Sequence, residues 1–383
     1  KLVGVVVTSQ EANLPVTYRI SNLTLSSDPS ASPTHASTSG SGQVEPGSDP
    51  DDPISTFSGE LFLPQPPDLN LGGPLPLLFS RYYAAFLERH GILHSLGPNW
   101  SHNFNWKLKR NGAIADVISD TGRATRFTNT VGTTWDQVGQ FDQPLQLLES
   151  GGGFVLGNPR TQQEYQFAAD GKLVAIRDGR GNQHTLTYTG TNLTQVADGL
   201  GRVLSFTHIA GRLTQVSDGT RTVGFGYTAN LLTSVTNPLG HITAYTYEPG
   251  SSWPGLLTGG VQPKGNAPLS QQFTRQGRVT TQTDTLGNPM TFLYAGLNTT
   301  ITDALGNNLA HTHNTNGQLL SIRDRNDQTM QFGYDAAGRR NRVTDRLGAI
   351  TTLSFHNASG LENSVVEANR SEEHTSELQS PNT

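Results

Sequence analysis

The sequence predicts an all-β protein in which tandem two-strand repeats form a long curved antiparallel sheet behind a small β-rich module. Glycine supplies 42 of the 383 residues and only 34% of the chain is hydrophobic, a composition that favours many short strands and turns. Prolines recur through residues 53–98, where they argue against long helices. From residue 158 onward one pattern returns at intervals of about 20 residues, as expected of tandem two-strand units.

The composition excludes several classes of partner and site. Charged residues are 15% of the chain and the net charge is −5. The sequence contains no block of basic residues that could hold a phosphate backbone. Cysteine is absent, so there is no disulfide framework, thiolate zinc site or thiol nucleophile. No apolar run is long enough to span a bilayer. We therefore expect no nucleic-acid partner, no membrane span and no cofactor.

The chain begins with two elements that precede the module. In residues 1–25, Val16 and Tyr18 alternate with polar neighbours as in a half-buried strand. We interpret this element as the remnant of an upstream β-domain, because the chain opens at Lys1 without a signal-peptide pattern. Residues 26–52 are rich in Ser, Pro, Gly, Thr and Asp, which predicts a flexible linker.

The module follows the linker. The aromatic content rises here, and residues 53–157 predict short strands with tight connections. The segments FSGELFLPQPPDLNLGGPLPLLFSRYY and LGPNWSHNFNWKL show this composition. We expect Trp100 and Trp106 to pack the module rather than to stack on sugar. The glycine triplet at 151–153 lacks the residues of a phosphate-binding loop and indicates a hairpin connection.

Residues 158–369 repeat a four-residue turn that begins with Asp or Asn and usually ends with Gly. The first side chain can accept a hydrogen bond from the backbone N–H two residues on, and Gly tolerates the positive φ that leads out of a type I turn. The turns begin about 20 residues apart, and QPKG at 262–265 divides the one longer gap, which makes nine units. The predicted turn residues are Asp178, Gly181, Asp198, Gly201, Asp218, Asn237, Gly240, Asp284, Gly287, Asp303, Gly306, Asp324, Asp345 and Gly348.

Between the turns, most units place an apolar or aromatic pair at the eighth and tenth residues after the turn begins. Side chains two apart share one face of a strand, so the pairs predict one apolar face of the sheet. On the returning strand the apolar residues stand three apart, as Leu193 and Val196 do, and this spacing predicts a bulge. The predicted structural aromatics are Tyr188, Tyr227, Tyr247, Tyr294, Tyr334 and Phe355.

Two histidines interrupt the aromatic pattern. His311 and His313 share a strand face, from which a metal site could be built. They stand eight and ten residues after Asp303, where other units carry Phe and Tyr, and no sequence position nominates a third ligand. We therefore expect them to fill aromatic slots by shape, and we predict no metal-binding residue.

Candidate catalytic residues are equally few. His90, His94 and His102 flank an aromatic-rich loop and could serve acid–base chemistry, but no nucleophile or paired carboxylate accompanies them. The Asp-Gly turns lack the pattern of a calcium-binding loop. We predict no catalytic and no cofactor-binding residue, and therefore no enzyme.

Residues 370–383, RSEEHTSELQSPNT, share no pattern with the repeats. They are similar to a translated sequencing-library adapter, and we interpret them as an artefact; a genuine polar tail is the alternative. On either interpretation they are excluded from the fold argument. The last complete unit then predicts a ribbon that ends in an unpaired edge strand near residues 350–356.

The repeat pattern resembles a known family. G-x-L-x-x-V-x-D-x-x-G followed by Y-x-Y, seen in GRLTQVSDG, NLTQVADGLGR and FGYDAAGR, resembles the YD repeat of RHS (rearrangement hot spot) proteins. The segment from FSGELF to HNFNW resembles the module that precedes RHS repeats, so the resemblance covers residues 53–369. It implies a sheet that spirals into a hollow shell around a variable C-terminal polypeptide, often a toxin.

The resemblance implies a non-enzymatic structural fragment of an RHS shell, which would enclose or present an effector of the polymorphic toxin type. The partner would be the C-terminal effector segment of the same full-length protein, and the location would be secreted or at the cell surface, bacterial in type. The alternative is a cell-surface carbohydrate-binding repeat module, and a hydrolase is a third hypothesis. A binding module needs its tyrosines exposed in a patch, whereas a shell needs them partly covered.

Overall fold

The computed structural model describes residues 54–139, 145–159, 161–250, 253–265, 269–355 and 362–367. The elements predicted for residues 1–25, 26–52 and 370–383 lie outside these residues. The described part of the chain forms 31 strands and one turn of 3-10 helix at Glu88–His90, and it contains no α-helix.

The first five strands are short and lie before residue 107. They are Phe62–Pro64 (β1), Leu69–Asn70 (β2), Leu78–Phe79 (β3), Arg81–Ala84 (β4) and Trp100–His102 (β5). They form a three-stranded sheet in the order β1-β4-β5 and a separate pair, β2-β3. We call residues 54–106 the inner segment.

The other strands form one antiparallel sheet, which opens with eight strands. These are Lys107–Asn111 (β6), Ile114–Ile118 (β7), Ala124–Val131 (β8), Thr134–Gln137 (β9), Gln146–Ser150 (β10), Gly153–Asn158 (β11), Gln163–Phe167 (β12) and Leu173–Asp178 (β13). Each strand pairs with its neighbours in sequence.

Eighteen further strands continue the same sheet through the repeats. They are Gln183–Thr189 (β14), Asn192–Ala197 (β15), Val203–Ile209 (β16), Arg212–Ser217 (β17), Thr222–Thr228 (β18), Leu231–Thr236 (β19), Ile242–Tyr247 (β20), Leu257–Val261 (β21), Leu269–Phe273 (β22), Val279–Asp284 (β23), Pro289–Ala295 (β24), Asn298–Thr302 (β25), Asn308–His313 (β26), Leu319–Arg323 (β27), Thr329–Tyr334 (β28), Arg340–Thr344 (β29), Ile350–Phe355 (β30) and Glu362–Val366 (β31). The predicted fold class, tandem two-strand repeats in a long antiparallel sheet, is confirmed.

The sheet closes on itself near its start, where β6 meets the turn before β13. The Leu108 backbone N–H donates to the Gly171 carbonyl oxygen at 2.9 Å, and Lys107 forms a β-bridge with Lys172. A Cβ on Gly171 would lie 1.8 Å from the Leu108 carbonyl oxygen, so this approach requires glycine. The first eight strands of the sheet therefore form a ring from which the repeats continue.

The predicted bulge is confirmed in the returning strands. In the hairpin of β14 and β15, Tyr188 pairs with Leu193 and the register then shifts by one residue at Thr194. Because of this extra residue, Leu193 and Val196 both face the core although they stand three apart. The same shift recurs in the hairpins β16-β17, β18-β19, β20-β21, β22-β23, β26-β27, β28-β29 and β30-β31.

The inner segment supplies one side of the main hydrophobic core and the sheet supplies the other. Leu61, Phe79 and Trp100 of the inner segment are fully buried. They belong to one cluster with sheet residues such as Leu213 and Val216, which are also fully buried. The apolar face of the sheet is therefore covered by a second layer that belongs to the same chain.

The prediction of an unpaired edge strand near residues 350–356 is wrong. β30 pairs with β31, with Leu353 opposite Val365. All five residues of β31 are exposed, and its sequence ENSVV lacks the alternation that marks the earlier strands. The sheet therefore extends one strand beyond the last recognisable unit.

Candidate functional site

The repeat turns share one hydrogen-bond arrangement, which Asp198 illustrates. Its Oδ1 accepts from the backbone N–H of Leu200 at 2.8 Å and of Arg202 at 3.1 Å, and Gly201 takes a φ of 92°. Burial alone would raise the pKa of Asp198, but these bonds and the Arg202 guanidinium hold it below its ordinary value. The first side chain likewise accepts two backbone N–H bonds at Asp178, Asp218, Asn237, Asp284, Asp303, Asp324 and Asp345.

In most of these turns the fourth residue has a left-handed backbone conformation, whereas the turn at Asp218 has it at Gly219, with a φ of 92°. The positive φ angles, between 79° and 92°, belong to Gly181, Gly201, Gly240, Gly287, Gly306 and Gly348. In the turn that starts at Asp324, Asp327 takes the same place with a φ of 62°. A residue with a Cβ is strained in this conformation, so the turn favours glycine.

Two of these turns also hold the inner segment. Arg202 bonds the Asp198 carboxylate through Nε at 2.6 Å and donates through Nη1 to the Leu71 carbonyl oxygen at 2.7 Å. Arg221 bonds Asp218 in the same way and donates to the Asn70 carbonyl oxygen at 3.2 Å. The sequence gives no signal for these contacts, because the partner residues belong to a segment without the repeat.

The tyrosines of the repeat cap the bulges. The Tyr188 hydroxyl donates to the Leu173 carbonyl oxygen at 2.8 Å, and Leu173 directly precedes the residue at which the register shifts. A bulge interrupts the ladder, so a hydroxyl beside it can satisfy a carbonyl that the partner strand cannot reach. The same bond joins Tyr227 to Leu213, Tyr247 to Leu232, Tyr294 to Val279, and Tyr334 to Leu319.

Phe355 has the corresponding place in the last repeat hairpin but carries no hydroxyl. Instead, the Arg339 guanidinium carbon lies 4.9 Å from the centre of its ring. This is cation–π distance. The five tyrosine rings and Phe355 are half-buried, and they form no fully exposed aromatic patch in the described part of the sheet.

His311 and His313 lie on β26, and both are 1% exposed. His313 pairs with Leu319, as Tyr188 pairs with Leu193 in the hairpin of β14 and β15. The Thr56 hydroxyl lies 2.9 Å from His311 Nδ1 and 3.2 Å from His313 Nε2. The pair therefore holds the start of the inner segment, and among the described residues no three His, Cys, Asp or Glu side chains are grouped to hold a metal ion.

Trp100 and Trp106 both pack against aromatic side chains of the sheet. Trp100 is 1% exposed, and its Nε1 donates to the Tyr247 hydroxyl at 2.9 Å. The Trp106 ring stacks on the Tyr165 ring with centroids 4.2 Å apart. Both tryptophans thus contact repeat or ring strands through their aromatic faces or their indole N–H.

The inner segment contains a buried ion pair, which the sequence did not indicate, and a hydrogen bond from its arginine reaches β20. Arg81 donates to both carboxylate oxygens of Asp68, at 2.6 and 2.9 Å, and to the Tyr245 hydroxyl at 2.9 Å. Burial opposes its charge, but Tyr245 and Asp68 raise the pKa of Arg81 above its ordinary value. The guanidinium therefore stays charged inside the core.

A cavity of about 290 Å³ lies among the ring strands β7 to β12. It is lined by Trp106, Asp120, Arg123 and Tyr165 together with aliphatic, hydroxyl and amide side chains. Burial raises the pKa of Asp120 to about 7. No histidine or second carboxylate is among the described lining residues, so the cavity lacks the pair of groups that general acid–base catalysis uses.

Comparison with protein families finds two matches. Residues 51–127 match a domain of unknown function, DUF6531, and residues 313–369 match the RHS repeat. The chain carries RHS repeats. No curated protein matches it. Among its described residues, no helix is long and apolar enough to cross a membrane.

Solved structures similar to this RHS-repeat chain include components of Tc toxins. TcdB2-TccC3 without its hypervariable C-terminal region is 11% identical at a TM-score of 0.36, with 76% of this chain and 21% of that chain covered. A Tc holotoxin pore of Photorhabdus luminescens is 11% identical at a TM-score of 0.36, with 76% of this chain and 20% of that chain covered. The chain spans about a fifth of the length of these structures.

Proposed function

We propose that this RHS-repeat chain is a structural, non-enzymatic part of a shell wall that encloses or presents a C-terminal effector of the same full-length protein. One observation carries the proposal above all. From Lys107 to Val366 every described strand pairs with the next strand in sequence, and the inner segment covers much of the apolar face. A two-strand unit cannot bury that face alone, whereas a continuous covered sheet can serve as a wall.

The repeat residues support the same role. The turn carboxylates and amides accept backbone N–H bonds, and the tyrosine hydroxyls donate to backbone carbonyls. Polar groups that are used in this way hold a backbone in shape. We therefore assign the predicted turn residues and aromatics to the structure of the wall, and we place the full-length protein among secreted or cell-surface bacterial proteins of the polymorphic toxin type.

The carbohydrate-binding alternative has less support. A sugar site needs open aromatic faces, and the rings of Tyr188, Tyr227, Tyr247, Tyr294 and Tyr334 are half-buried with their hydroxyls bonded to the backbone. A glycan array probed with the chain separates the two proposals. The wall proposal expects no glycan to bind above background.

Proteolysis of the full-length protein tests whether the wall encloses an effector. We expect its C-terminal effector segment to resist protease under native conditions, and to become cleavable at the denaturant concentration that unfolds the repeat sheet. The same segment expressed alone is the control for its intrinsic resistance. Equal cleavage rates for the free segment and the full-length protein would refute enclosure.

A further inference from the structure

The boundary between the inner segment and the repeat sheet contains a group of histidines. His102 is 2% exposed and lies on β5. Its ring centroid is 5.4 to 6.3 Å from three phenylalanine rings, and its Nδ1 lies 3.3 Å from the backbone N–H of Phe104. Those rings belong to Phe79 and Phe104 of the inner segment and to Phe206 of the sheet.

Three further histidines lie at the same boundary. His94 belongs to the inner segment and His208 to β16, and both are close enough to His102 for their charges to interact with it. His184 on β14 is 4% exposed, and its Nε2 lies 3.2 Å from the Leu75 carbonyl oxygen of the inner segment. The contact between the two layers thus includes four imidazoles.

The groups that face these imidazoles oppose their protonation in most cases. His102 faces His94 and His208, and His94 faces Lys107, so added protons would repel one another or an existing cation. His184 faces Asp198, which favours its charge, and Arg202, which opposes it. His208 faces His102, and a hydrogen bond with the Phe206 backbone opposes the effect of burial on its pKa.

Burial is the largest effect on all four side chains. It lowers the pKa of His94 to about 4 and that of His102 well below the ordinary value, and it also lowers those of His184 and His208. The four imidazoles are therefore neutral while the layers are docked at neutral pH. If the layers separate, water restores an ordinary pKa of about 6.5.

We propose that His94, His102, His184 and His208 form a pH-sensitive latch, which holds the inner segment on the repeat sheet at neutral pH and releases it in acid. The separated state binds more protons than the docked state once the pH falls below about 6.5. The contribution of the latch to docking is thus complete above that pH, and it is lost progressively as the pH falls toward the docked-state values. The latch goes beyond the wall function and does not depend on it.

Amide hydrogen exchange on the whole chain tests the latch. Between pH 7.5 and pH 5.5, after correction for intrinsic exchange, we expect the opening of the inner segment to increase by about tenfold for each histidine that takes up a proton. Amides of β7 to β11 should change less, because none of these four histidines lies on those strands. Equal loss of protection in both regions would overturn the proposal.

Two variants and a control assign the effect to the latch. His102→Phe places a ring without a titratable group among Phe79, Phe104 and Phe206, and it should reduce the pH response by about tenfold. His241→Gln changes an exposed histidine in a repeat turn and should leave the response as in the unchanged chain. A His102→Phe response equal to that of the unchanged chain would overturn the latch.

His208→Tyr keeps the proposal testable if His102→Phe fails to fold. His208 pairs with Leu213 as Tyr188 pairs with Leu193 and Tyr227 with Leu232, so this variant restores the residue that neighbouring hairpins carry. It should fold at pH 7.5 and show a smaller increase in opening at pH 5.5. An unchanged increase in this variant would count against the latch.

Discussion

The repeats beneath the inner segment and the repeats at the end of the sheet share one pattern and differ in burial. We call β14 to β19 the covered repeats and β27 to β31 the terminal repeats. Val216 and Val343 occupy equivalent positions, each two residues before the next turn. Val216 in the covered repeats is 0% exposed, whereas Val343 in the terminal repeats is only half-buried. The terminal repeats have a separate core of Leu319, Ile322 and Phe332, which includes no described residue of the inner segment.

The backbone hydrogen bonds of the turn carboxylates and the repeat tyrosines are the same in both regions, although the burial differs. Tyr227 in the covered repeats and Tyr334 in the terminal repeats each cap a bulge carbonyl, at 2.6 and 2.8 Å. Asp198 and Asp345 accept the same two backbone N–H bonds. The repeat sequence therefore determines turns, bulges and caps by itself, but the burial of its apolar face depends on a second layer.

Val216→Ala and Val343→Ala should show the largest difference between the two regions. Removing two methyl groups from the covered core should cost about 2–3 kcal/mol, since it loses burial and leaves a cavity. The same change at the half-buried Val343 should cost less than about 1 kcal/mol. Denaturant unfolding, with amide exchange to report on each hairpin, measures both values. Equal costs would show that the inner segment adds no burial at Val216.

Tyr227→Phe and Tyr334→Phe should differ less. Loss of the hydroxyl leaves a bulge carbonyl without its cap, at a cost of about 1–2 kcal/mol where water is excluded. We expect less than about 1 kcal/mol at Tyr334, because water can replace the hydroxyl more easily in the less covered region. Thermal unfolding of the two variants gives the comparison. A larger loss for Tyr334→Phe would contradict it.

Local features of this fold could be predicted from the sequence. The turns, the two-strand unit and the bulge all follow from spacings within about 20 residues, which a single unit contains. The bulge is the clearest case, since Leu193 and Val196 stand three apart and both must face one side. Each such feature depends on chain geometry that the sequence displays directly.

Contacts between the inner segment and the repeats could not be predicted. The sequence predicts that His311 fills an aromatic slot, but it does not show the partner Thr56, which lies 255 residues away in a segment without periodicity. The hydrogen bond from Arg202 to the Leu71 carbonyl oxygen likewise joins a repeat turn to a segment that lacks the repeat. Shape alone also favours Tyr and Phe at the histidine positions, whereas the structure shows that such replacements would lose the Thr56 hydroxyl contacts.

Asp198→Asn and Asp345→Asn should show a smaller difference. Asparagine keeps an oxygen for the two backbone N–H bonds, but at Asp198 it loses the charge that orients Arg202 toward the Leu71 carbonyl. We expect a cost of about 0.5–1 kcal/mol at Asp198 and less at Asp345. Urea unfolding at neutral pH measures it.

The pH dependence of the stability lost in Asp198→Asn tests whether the carboxylate charge is the cause. The pKa of Asp198 is lowered in the folded chain, so its contribution is present above the ordinary value near 3.8 and is lost as the pH falls through the folded value. Asp198→Asn should therefore approach the stability of the unchanged chain in acid. A gap that stays constant down to pH 2 would show that the carboxylate charge is not the cause.

Gly201→Ala and Gly348→Ala should show no difference between the regions. The two glycines have φ angles of 92° and 85°, and a Cβ on either would meet no atom within 4 Å. The cost is then the strain of a left-handed conformation, about 1–2 kcal/mol at both positions. Matched unfolding curves for the two variants would show that the turn tips are outside the influence of the second layer. A clearly larger cost at Gly201 would instead mean that the inner segment constrains the turns as well as the core. The local hydrogen bonds of the turns would then depend on the second layer, as the burial of the apolar face does.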